Sequence, residues 1–313
     1  LAQSRADLAI IALPHPRIAA ALEIAGRIRC RAALVLSTGL PAAECADLHA
    51  IARRHGMHLL GPNSLGLQRP LLKLNASAAG RLAATGPLAL VCQSGALTAS
   101  ILDWAARNAV GFSTVVSLGA NTAVDLTQVL DFLANDASTQ SILVYMEGIH
   151  DARRFMSALR AAAFAKPVVV MKAGRQPAGS KAALTHSASI VGSDDVFEAA
   201  LRRAGVVRVR AFTQLFSAAK CLASRYKPIG KGLAIVTNGG GPAVLAADRA
   251  NEIGLEVARL VDTSCTELAP HLSPHATLES VIDLGEEATP AQFRAALQAC
   301  AKDRSVHGVL VIY

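Results

Sequence analysis

Short apolar runs alternate along the chain with stretches whose apolar positions recur at helical spacing, and this alternation predicts an α/β fold. In the first part of the chain, apolar runs at Leu8–Leu13, Ala32–Leu36 and Met57–Leu60 predict strands. The stretch after the first run, up to about Arg27, and the stretch Ala42–His55 predict helices. Such a β-α-β-α-β series forms half of a doubly wound parallel sheet, and ligands bind these sheets at the carboxyl ends of the strands.

The second part of the chain shows the same alternation with more continuous apolar runs. The run that begins at Pro167 contains three consecutive valines, which is typical of a strand covered on both faces. Before this part, the small and polar segment Asn75–Thr85 predicts a linker. The predicted strands are Pro87–Cys92, Phe112–Ser117, Ser141–Met146, Pro167–Met171 and Val206–Val209.

A third part begins after Lys227 and Pro228, where Gly232–Thr237 predicts another strand. Like the second part, it starts with a strand, a Gly-rich turn and a helix of small residues, and it has a later apolar run at Val309–Tyr313. The pattern predicts three domains, at residues 1–84, 85–228 and 229–313. Because the chain starts at Leu1 and ends inside an apolar run, we expect a fragment whose last domain is incomplete.

Composition narrows the classes of function. Hydrophobic residues make up 52% of the 313 residues and aromatic residues only 4%, which suits helices packed on parallel sheets. No apolar run reaches the roughly 18–20 residues of a membrane span, so we expect no membrane partner. The net charge of +8 comes from dispersed bases without interleaved aromatic residues. This distribution disfavours nucleic-acid binding and is compatible with an anionic small ligand.

The cysteines and histidines give no sign of a metal site or a disulfide framework. The six cysteines are scattered without a CxxC pair, which predicts reduced thiols and a cytoplasmic protein. His55 and His58 are three residues apart, but no further ligand lies near them in the sequence. We therefore predict that the chain binds no metal ion through its own residues.

Two Gly-rich turns connect predicted strands to predicted helices, one at Ser94 and Gly95 and one at Gly239–Gly241. A helix start leaves several backbone N–H groups free, and the helix dipole adds positive potential, so each turn is a candidate anion site. Alternatively, the turns only connect strand and helix tightly.

Three familiar sequence motifs do not fit this chain. CQSGA lacks the glycines of a nucleophile elbow, NGGGPA is not GxGxxG, and GRQPAGSK has Ser180 where a P-loop needs lysine.

One histidine, His186, lies among small residues on a long loop after the strand that begins at Pro167. Glu147 ends the preceding predicted strand, which we expect to be its neighbour in the sheet. A neutral imidazole can attack phosphorus, and a carboxylate on the other ring nitrogen would fix its tautomer. His186 is therefore a candidate nucleophile, and the alternative is a structural or surface histidine.

At this point the motifs resemble a known family. GPNSLG, VCQSGALT, SLGAN, YMEGIHDARRF, THSASIVGSDDVFEAALRRAGVVRV and TNGGGPAVLAAD, in this order, are similar to motifs of the NDP-forming acyl-CoA synthetases, relatives of succinyl-CoA synthetase. The resemblance covers essentially the whole chain. It implies a truncated Rossmann-like CoA-binding domain followed by two flavodoxin-like, parallel-sheet ligase-CoA domains. The likeness is greatest to bacterial proteins that fuse this module to an ATP-grasp domain and often to a GNAT-type lysine acetyltransferase.

The resemblance implies the reaction acyl-CoA + phosphate + ADP = carboxylic acid + CoA + ATP, through an acyl phosphate and a phosphohistidine. In this reaction, His186 carries the phosphoryl group and Glu147 forms a hydrogen bond to it. The other implied site residues are Ser94, Gly95, Gly239, Gly240 and Gly241 for phosphate, and Pro14, Thr38, Gly39, Asn63 and Ser64 for CoA.

The resemblance also implies partners. ATP or ADP with Mg²⁺ would bind an ATP-grasp domain or subunit outside this chain, so we expect the fragment alone to be inactive. The other ligands are CoA or acyl-CoA, phosphate and a small carboxylic acid, and an oligomer is compatible with the family. Ala188 stands where relatives commonly have glycine. Two alternatives remain: an acyl-CoA-sensing module of a fused acetyltransferase, and a plain α/β ligand-binding protein.

Overall fold

The computed structural model of the chain describes residues 6–119, 123–149, 151–176, 179, 193–223 and 229–313. The chain divides into two compact units, Leu1–Arg225 and Tyr226–Tyr313. His186 and Ala188 lie outside the described residues. The predicted division into three domains stays a prediction.

The first unit begins with a sheet of three parallel strands, β1 (Leu8–Ile11), β2 (Ala32–Val35) and β3 (His58–Leu60), in that order. The connecting helices are α1 (His15–Arg27) and α2 (Ala42–Arg54). Apolar side chains of both helices pack with alternate residues of the three strands in one buried cluster. The predicted β-α-β-α-β series is thus confirmed.

The same unit contains a second, larger sheet. Its strands are β4 (Gly66–Arg69), β5 (Leu74–Ser77), β6 (Thr85–Cys92), β7 (Phe112–Ser117), β8 (Ser141–Met146), β9 (Val168–Lys172) and β10 (Val207–Val209). The strand order is β10-β9-β8-β6-β7-β4-β5, parallel from β10 to β7 and antiparallel at β4 and β5. Every residue of β7 and β8 is buried. In β8 the apolar run predicts this, whereas β7 also buries the polar residues Ser113, Thr114 and Ser117.

Helices cover both faces of this second sheet. They are α3 (Gly95–Arg107), α4 (Leu126–Asn135), α5 (Ala152–Ala165), α6 (Asp194–Arg203) and α7 (Phe212–Ala223). Helices α4 and α5 pack against one set of alternate strand residues, and α3 and α7 pack against the other set. This two-sided cover makes the sheet doubly wound. A short 3-10 helix, Pro70–Leu72, joins β4 to β5.

The linker predicted at Asn75–Thr85 is partly strand, so this prediction was wrong. β5 takes in the first three of its residues, and β6 begins at Thr85. β5 pairs with β4, where Gln68 is fully buried and its side-chain amide donates to Asn75 Oδ1 (3.2 Å) and Ser77 Oγ (3.0 Å). Hydrogen bonds between polar side chains hold these two strands together, and an apolar pattern cannot reveal such strands.

The second unit is a smaller α/β structure. Its elements are β11 (Gly232–Thr237), α8 (Gly240–Glu252), β12 (Glu256–Val257), α9 (Asp262–Leu268), a 3-10 helix (Ala269–His271), β13 (Thr277–Leu278), β14 (Ile282–Asp283), α10 (Pro290–Lys302) and β15 (Gly308–Ile312). β11 pairs in parallel with β12, β14 and β15, and β13 runs antiparallel to β14.

The predicted α/β fold class is confirmed, because both units have mostly parallel sheets with helices between the strands. In the part of the chain that the structure describes, no helix combines the length and the apolar character needed to cross a membrane.

Candidate functional site

The strand order of the larger sheet reverses at β6 and β8, and the position outside the carboxyl ends of these two strands is here called the crevice. The chain runs from β6 to its neighbour β7 and then crosses to β8, on the other side of β6. In doubly wound sheets, ligands bind outside the carboxyl ends of the strands where the strand order reverses. Ser94 and Gly95 follow β6, and Glu147 follows β8. The fold therefore brings one predicted phosphate-binding turn and the predicted carboxylate to the same point.

The start of α3 has the geometry of an anion site. Ser94 is the N-cap residue, and its side chain accepts a hydrogen bond from the N–H of Leu97 at 3.4 Å. The N–H groups of Gly95 and Ala96 have no acceptor among the described residues. Because these donors lie at the positive end of the helix dipole, they suit a phosphate oxygen.

The side chain of Gln93 joins this turn to the turn that carries Glu147. Gln93 Oε1 accepts the N–H groups of Glu147 (2.6 Å) and Gly148 (3.2 Å), and Nε2 donates to the Gly148 carbonyl at 3.0 Å. The backbone N–H of Gln93 donates to Tyr145 O at 3.1 Å, which extends the pairing of β6 with β8. Glu147 is only 8% exposed. One carboxamide thus fixes the backbone at the predicted catalytic glutamate.

Two titratable groups near Glu147, the Cys92 thiol and the Tyr145 hydroxyl, are neutral at pH 7. Burial raises the pKa of the Cys92 thiol to about 11 and that of the Tyr145 hydroxyl to about 12, and in both cases the Glu147 carboxylate adds a smaller upward effect. Both groups therefore stay protonated near pH 7. Both belong to the buried apolar cluster under this part of the sheet.

The turns at the carboxyl ends of β1, β2 and β3 are held together by hydrogen bonds. The Asn63 side chain accepts the N–H of Gly39 at 2.7 Å, and the Asn63 N–H donates to the Ser37 carbonyl at 3.0 Å. Ser37 Oγ donates to the carbonyl of the residue before Pro14 at 2.6 Å, and Pro14 is the N-cap residue of α1. The residues predicted for CoA, from Pro14 through Thr38 and Gly39 to Asn63, therefore line one edge of the first sheet.

Ser64 attaches these turns to the larger sheet. Its hydroxyl donates to the carbonyl of Ser117, the last residue of β7, and the Leu65 N–H donates to Ser117 Oγ at 3.2 Å. Gly119 has a φ of +70°, and a Cβ there would lie 2.1 Å from the Asn63 carbonyl oxygen. The close approach requires glycine, so the turn after β3 and the turn after β7 pack directly on each other.

The second Gly-rich turn belongs to the other compact unit. Gly239 is the N-cap residue of α8 and provides no side-chain cap, and its N–H donates to Thr237 Oγ1 at 3.0 Å. The end of β14 brings a carboxylate to this helix start: a Cβ on Gly240 would lie 3.5 Å from Asp283 Oδ2. Gly241 is open, with no heavy atom within 4 Å of the position of a Cβ.

The structure thus places the predicted residues in three groups. Ser94, Gly95 and Glu147 meet at the crevice, the residues predicted for CoA meet at the edge of the first sheet, and Gly239–Gly241 lie in the second unit. The residues that sequence reasoning missed are Gln93, Ser117 and Asp283. Gln93 and Ser117 stand at the end of predicted strands, and Asp283 belongs to the short strand β14. The partner of each depends on which strands are neighbours.

Among the described residues, no group of three or more His, Cys, Asp or Glu side chains is placed to hold a metal ion.

Comparison with known proteins places the chain among ligases that use CoA. Residues 85–222 match the family model described as the succinyl-CoA ligase like flavodoxin domain. The chain is 38% identical over 98% of its length to the ADP-forming acetate–CoA ligase I of Archaeoglobus fulgidus, of which it spans 45%. It is 34% identical to the alpha subunit of ADP-forming acetate–CoA ligase I of Pyrococcus furiosus, of which it spans 68%.

A solved structure supports the same grouping. The acetyl-coenzyme A synthetase 1 of Candidatus Korarchaeum cryptofilum, determined in complex with phosphate and ADP, aligns with 99% of this chain and 68% of its own. The TM-score is 0.91 and the sequence identity 28%. The likeness therefore extends over nearly the whole chain.

Proposed function

The chain belongs to the family of ADP-forming acetate–CoA ligases, and we propose that it forms the CoA-binding and phosphohistidine part of an acyl-CoA synthetase. The observation that carries this proposal is the crevice between β6 and β8. There, Gln93 joins the turn of the buried Glu147 to the start of α3, where two N–H groups have no acceptor among the residues that are described. An anion site beside a fixed carboxylate suits phosphoryl transfer, in which positioning and electrostatics supply most of the catalysis.

The proposed reaction has two steps in this part of the enzyme. A phosphate oxygen attacks the thioester carbonyl, the C–S bond breaks, and the CoA thiol leaves with a proton from phosphate. A ring nitrogen of His186 then attacks phosphorus of the acyl phosphate, the P–O bond breaks, and the carboxylic acid leaves as carboxylate. The N–H groups of Gly95 and Ala96 would hold the phosphoryl oxygens, and Glu147 would accept a hydrogen bond from the other ring nitrogen.

The turns of the first sheet are proposed to hold CoA. Pro14, Thr38, Gly39 and Asn63 lie at the carboxyl ends of parallel strands, where ligands of such sheets bind. The bond of Ser64 to the Ser117 carbonyl would place this ligand next to the crevice. The substrate would be a small carboxylic acid, in line with the acetate of the relatives.

The chain spans less than half of the Archaeoglobus relative and 68% of the Pyrococcus alpha subunit, so the complete reaction is proposed for a larger assembly. ATP formation would require an ATP-grasp domain or subunit that binds ADP with Mg²⁺. The Gly239–Gly241 turn would hold the phosphoryl group on its way to that site. The cytoplasmic setting is proposed on the sequence alone, from six scattered cysteines without a CxxC pair.

The test uses the full-length protein with acetyl-CoA and ³²P-labelled phosphate. We expect a phosphoprotein whose label is lost in acid and survives alkali, as a phosphohistidine does. The variant His186→Ala should carry no label, whereas His58→Ala, which changes an exposed histidine of β3, should be labelled like the wild type.

Two outcomes would contradict the proposal: an unlabelled wild type, or a labelled His186→Ala variant. The sensing alternative, with a fused acetyltransferase, gains no support from the relatives named above, since they are ligases.

A further inference from the structure

The Gln93 side chain occupies the place where a β-ladder would continue. β6 and β8 pair in parallel up to Cys92 and Tyr145, and the Gln93 N–H adds one more bond, to the Tyr145 carbonyl. The chain then turns into α3 at Gly95, and the pairing of β6 with β8 ends. The carboxamide oxygen of Gln93 accepts the next two N–H groups of the neighbouring chain.

A carboxamide is suited to this place because it both accepts and donates. Its oxygen accepts the N–H groups of Glu147 and Gly148, and its nitrogen donates to the Gly148 carbonyl. A carboxylate of the same length would lack the donor and would add a negative charge next to Glu147. An aliphatic side chain would leave two N–H groups in a partly buried place without an acceptor, which destabilises the turn.

We infer that Gln93 is a positioning residue that acts through Glu147, and this inference rests on the function proposed above. Ser94, which caps the anion-binding start of α3, is the next residue after Gln93. The same short segment thus fixes the phosphoryl-binding donors through its backbone and the glutamate through its side chain. A small displacement between such groups can lower the rate of a reaction by about a hundredfold.

A double-mutant cycle tests this role, with the rate of ³²P incorporation from acetyl-CoA and labelled phosphate into the full-length protein as the measurement. We expect Gln93→Ala, and the similarly sized Gln93→Met, to lower the rate about tenfold or more. Glu147→Gln should lower it further. If Gln93 acts through Glu147, adding Gln93→Met to Glu147→Gln should cause little further loss, because residues of one network are not additive.

Three further measurements separate positioning from a general loss of structure. In Gln93→Met the dissociation constant for CoA should change little, urea unfolding should stay cooperative with a midpoint lowered by the loss of the two bonds, and amide hydrogen exchange at Glu147 and Gly148 should become faster. The matched control is Gln140→Ala, since Gln140 is exposed and its side chain makes no hydrogen bond within the described residues. This control should leave the labelling rate unchanged.

The outcomes distinguish this inference from the proposed function. If the wild type is labelled but the losses of Gln93→Met and Glu147→Gln add up in the double variant, the positioning role of Gln93 is overturned and the proposed function stands. A normal labelling rate in both Gln93 variants would do the same. An unlabelled wild type would overturn the proposed function, and the positioning role would fall with it.

Discussion

Helices α3 and α8 begin in the same sequence context: each follows a buried strand and a turn with glycine, and each is rich in small residues. At α3, Ser94 caps one N–H group, and those of Gly95 and Ala96 have no acceptor within the part of the chain that the structure describes. At α8, Gly239 provides no side-chain cap, and the Asp283 carboxylate stands beside Gly240. One helix start offers donors to an outside anion, and the other has a negative charge of its own close by.

This difference shows that a Gly-rich turn does not by itself determine affinity for an anion. The neighbouring strand decides what else reaches the helix start. β8 brings a turn that is held by Gln93, and β14 brings Asp283. The two turns, which the sequence makes look equivalent, are therefore expected to bind phosphate with different strength.

The largest expected change is a loss of ³²P labelling when a carboxylate is introduced at the start of α3, where α8 already has one nearby. A Cβ at Gly95 would meet its nearest heavy atom, Leu65 Cβ, at 3.5 Å, so a side chain fits. In Gly95→Asp, a negative charge would occupy the anion site, and we expect ³²P labelling to fall roughly a hundredfold, since unit charges about 4 Å apart interact by about 1–4 kcal/mol. The uncharged Gly95→Asn should lose much less. Equal losses in the two variants would point to sterics instead of charge.

The reverse change removes the carboxylate from the start of α8. Asp283→Asn retains the oxygen that accepts the Gly285 N–H at 3.0 Å but loses the charge. We expect phosphate to bind about five- to tenfold more tightly, since about 1 kcal/mol of repulsion is lost. Calorimetric titration at low salt in the Gly95→Asp background would isolate this site. Glu286→Gln, which changes an exposed acid of the same unit, is the control and should bind like the background protein.

The cap of α3 makes a smaller contribution, to stability. Ser94→Ala removes the acceptor for the Leu97 N–H, and we expect the free energy of unfolding to fall by about 1 kcal/mol. Urea denaturation would measure this loss. Ser100→Ala lies inside the same helix and is exposed, so it should be neutral or slightly stabilising. A Ser94→Ala variant as stable as the wild type would mean that the cap contributes nothing.

The smallest expected change is a gain in stability when a serine is introduced at the N-cap position of α8, as in α3. Gly239 has an extended backbone with a φ of −150°, and the nearest atom to a Cβ there, Pro242 Cδ, is 4.0 Å away. Gly239→Ser should therefore fit. Its hydroxyl can accept the N–H of Gly241, because Pro242 has none, and we expect a gain of a few tenths of a kcal/mol. Differential scanning calorimetry should show a melting temperature raised by about 1 °C. A lowered melting temperature would mean that a serine cannot cap α8 as Ser94 caps α3.

The strands were predictable wherever apolar residues are continuous. Ser141–Met146 and Gly232–Thr237 have the predicted bounds, because each is a largely apolar strand within a parallel part of its sheet. Phe112–Ser117 also has the predicted bounds, although half of its residues are Ser or Thr. β4 and β5 were missed, because the buried Gln68 is satisfied by Asn75 and Ser77, and polar residues of this kind read as a linker.

The candidate site was predictable only in part. The helix starts follow from glycine and serine after a strand, and these are local features. The bonds of Gln93 to the backbone of Glu147 span 54 residues and exist because β6 lies next to β8. The approach of Asp283 to Gly240 likewise depends on the pairing of β11 with β14. Such contacts follow from topology, which the pattern of one chain does not specify.

The packing of Gly119 on Asn63, together with the bond from Ser64 to Ser117, has a mechanical consequence. The two sheets of the first unit cannot open and close around a ligand like jaws without breaking this junction. If these turns hold CoA as proposed, its thioester would reach the crevice through the flexibility of the ligand and not through movement of the two sheets. Pantetheine, the chain that carries the CoA thiol, supplies this flexibility.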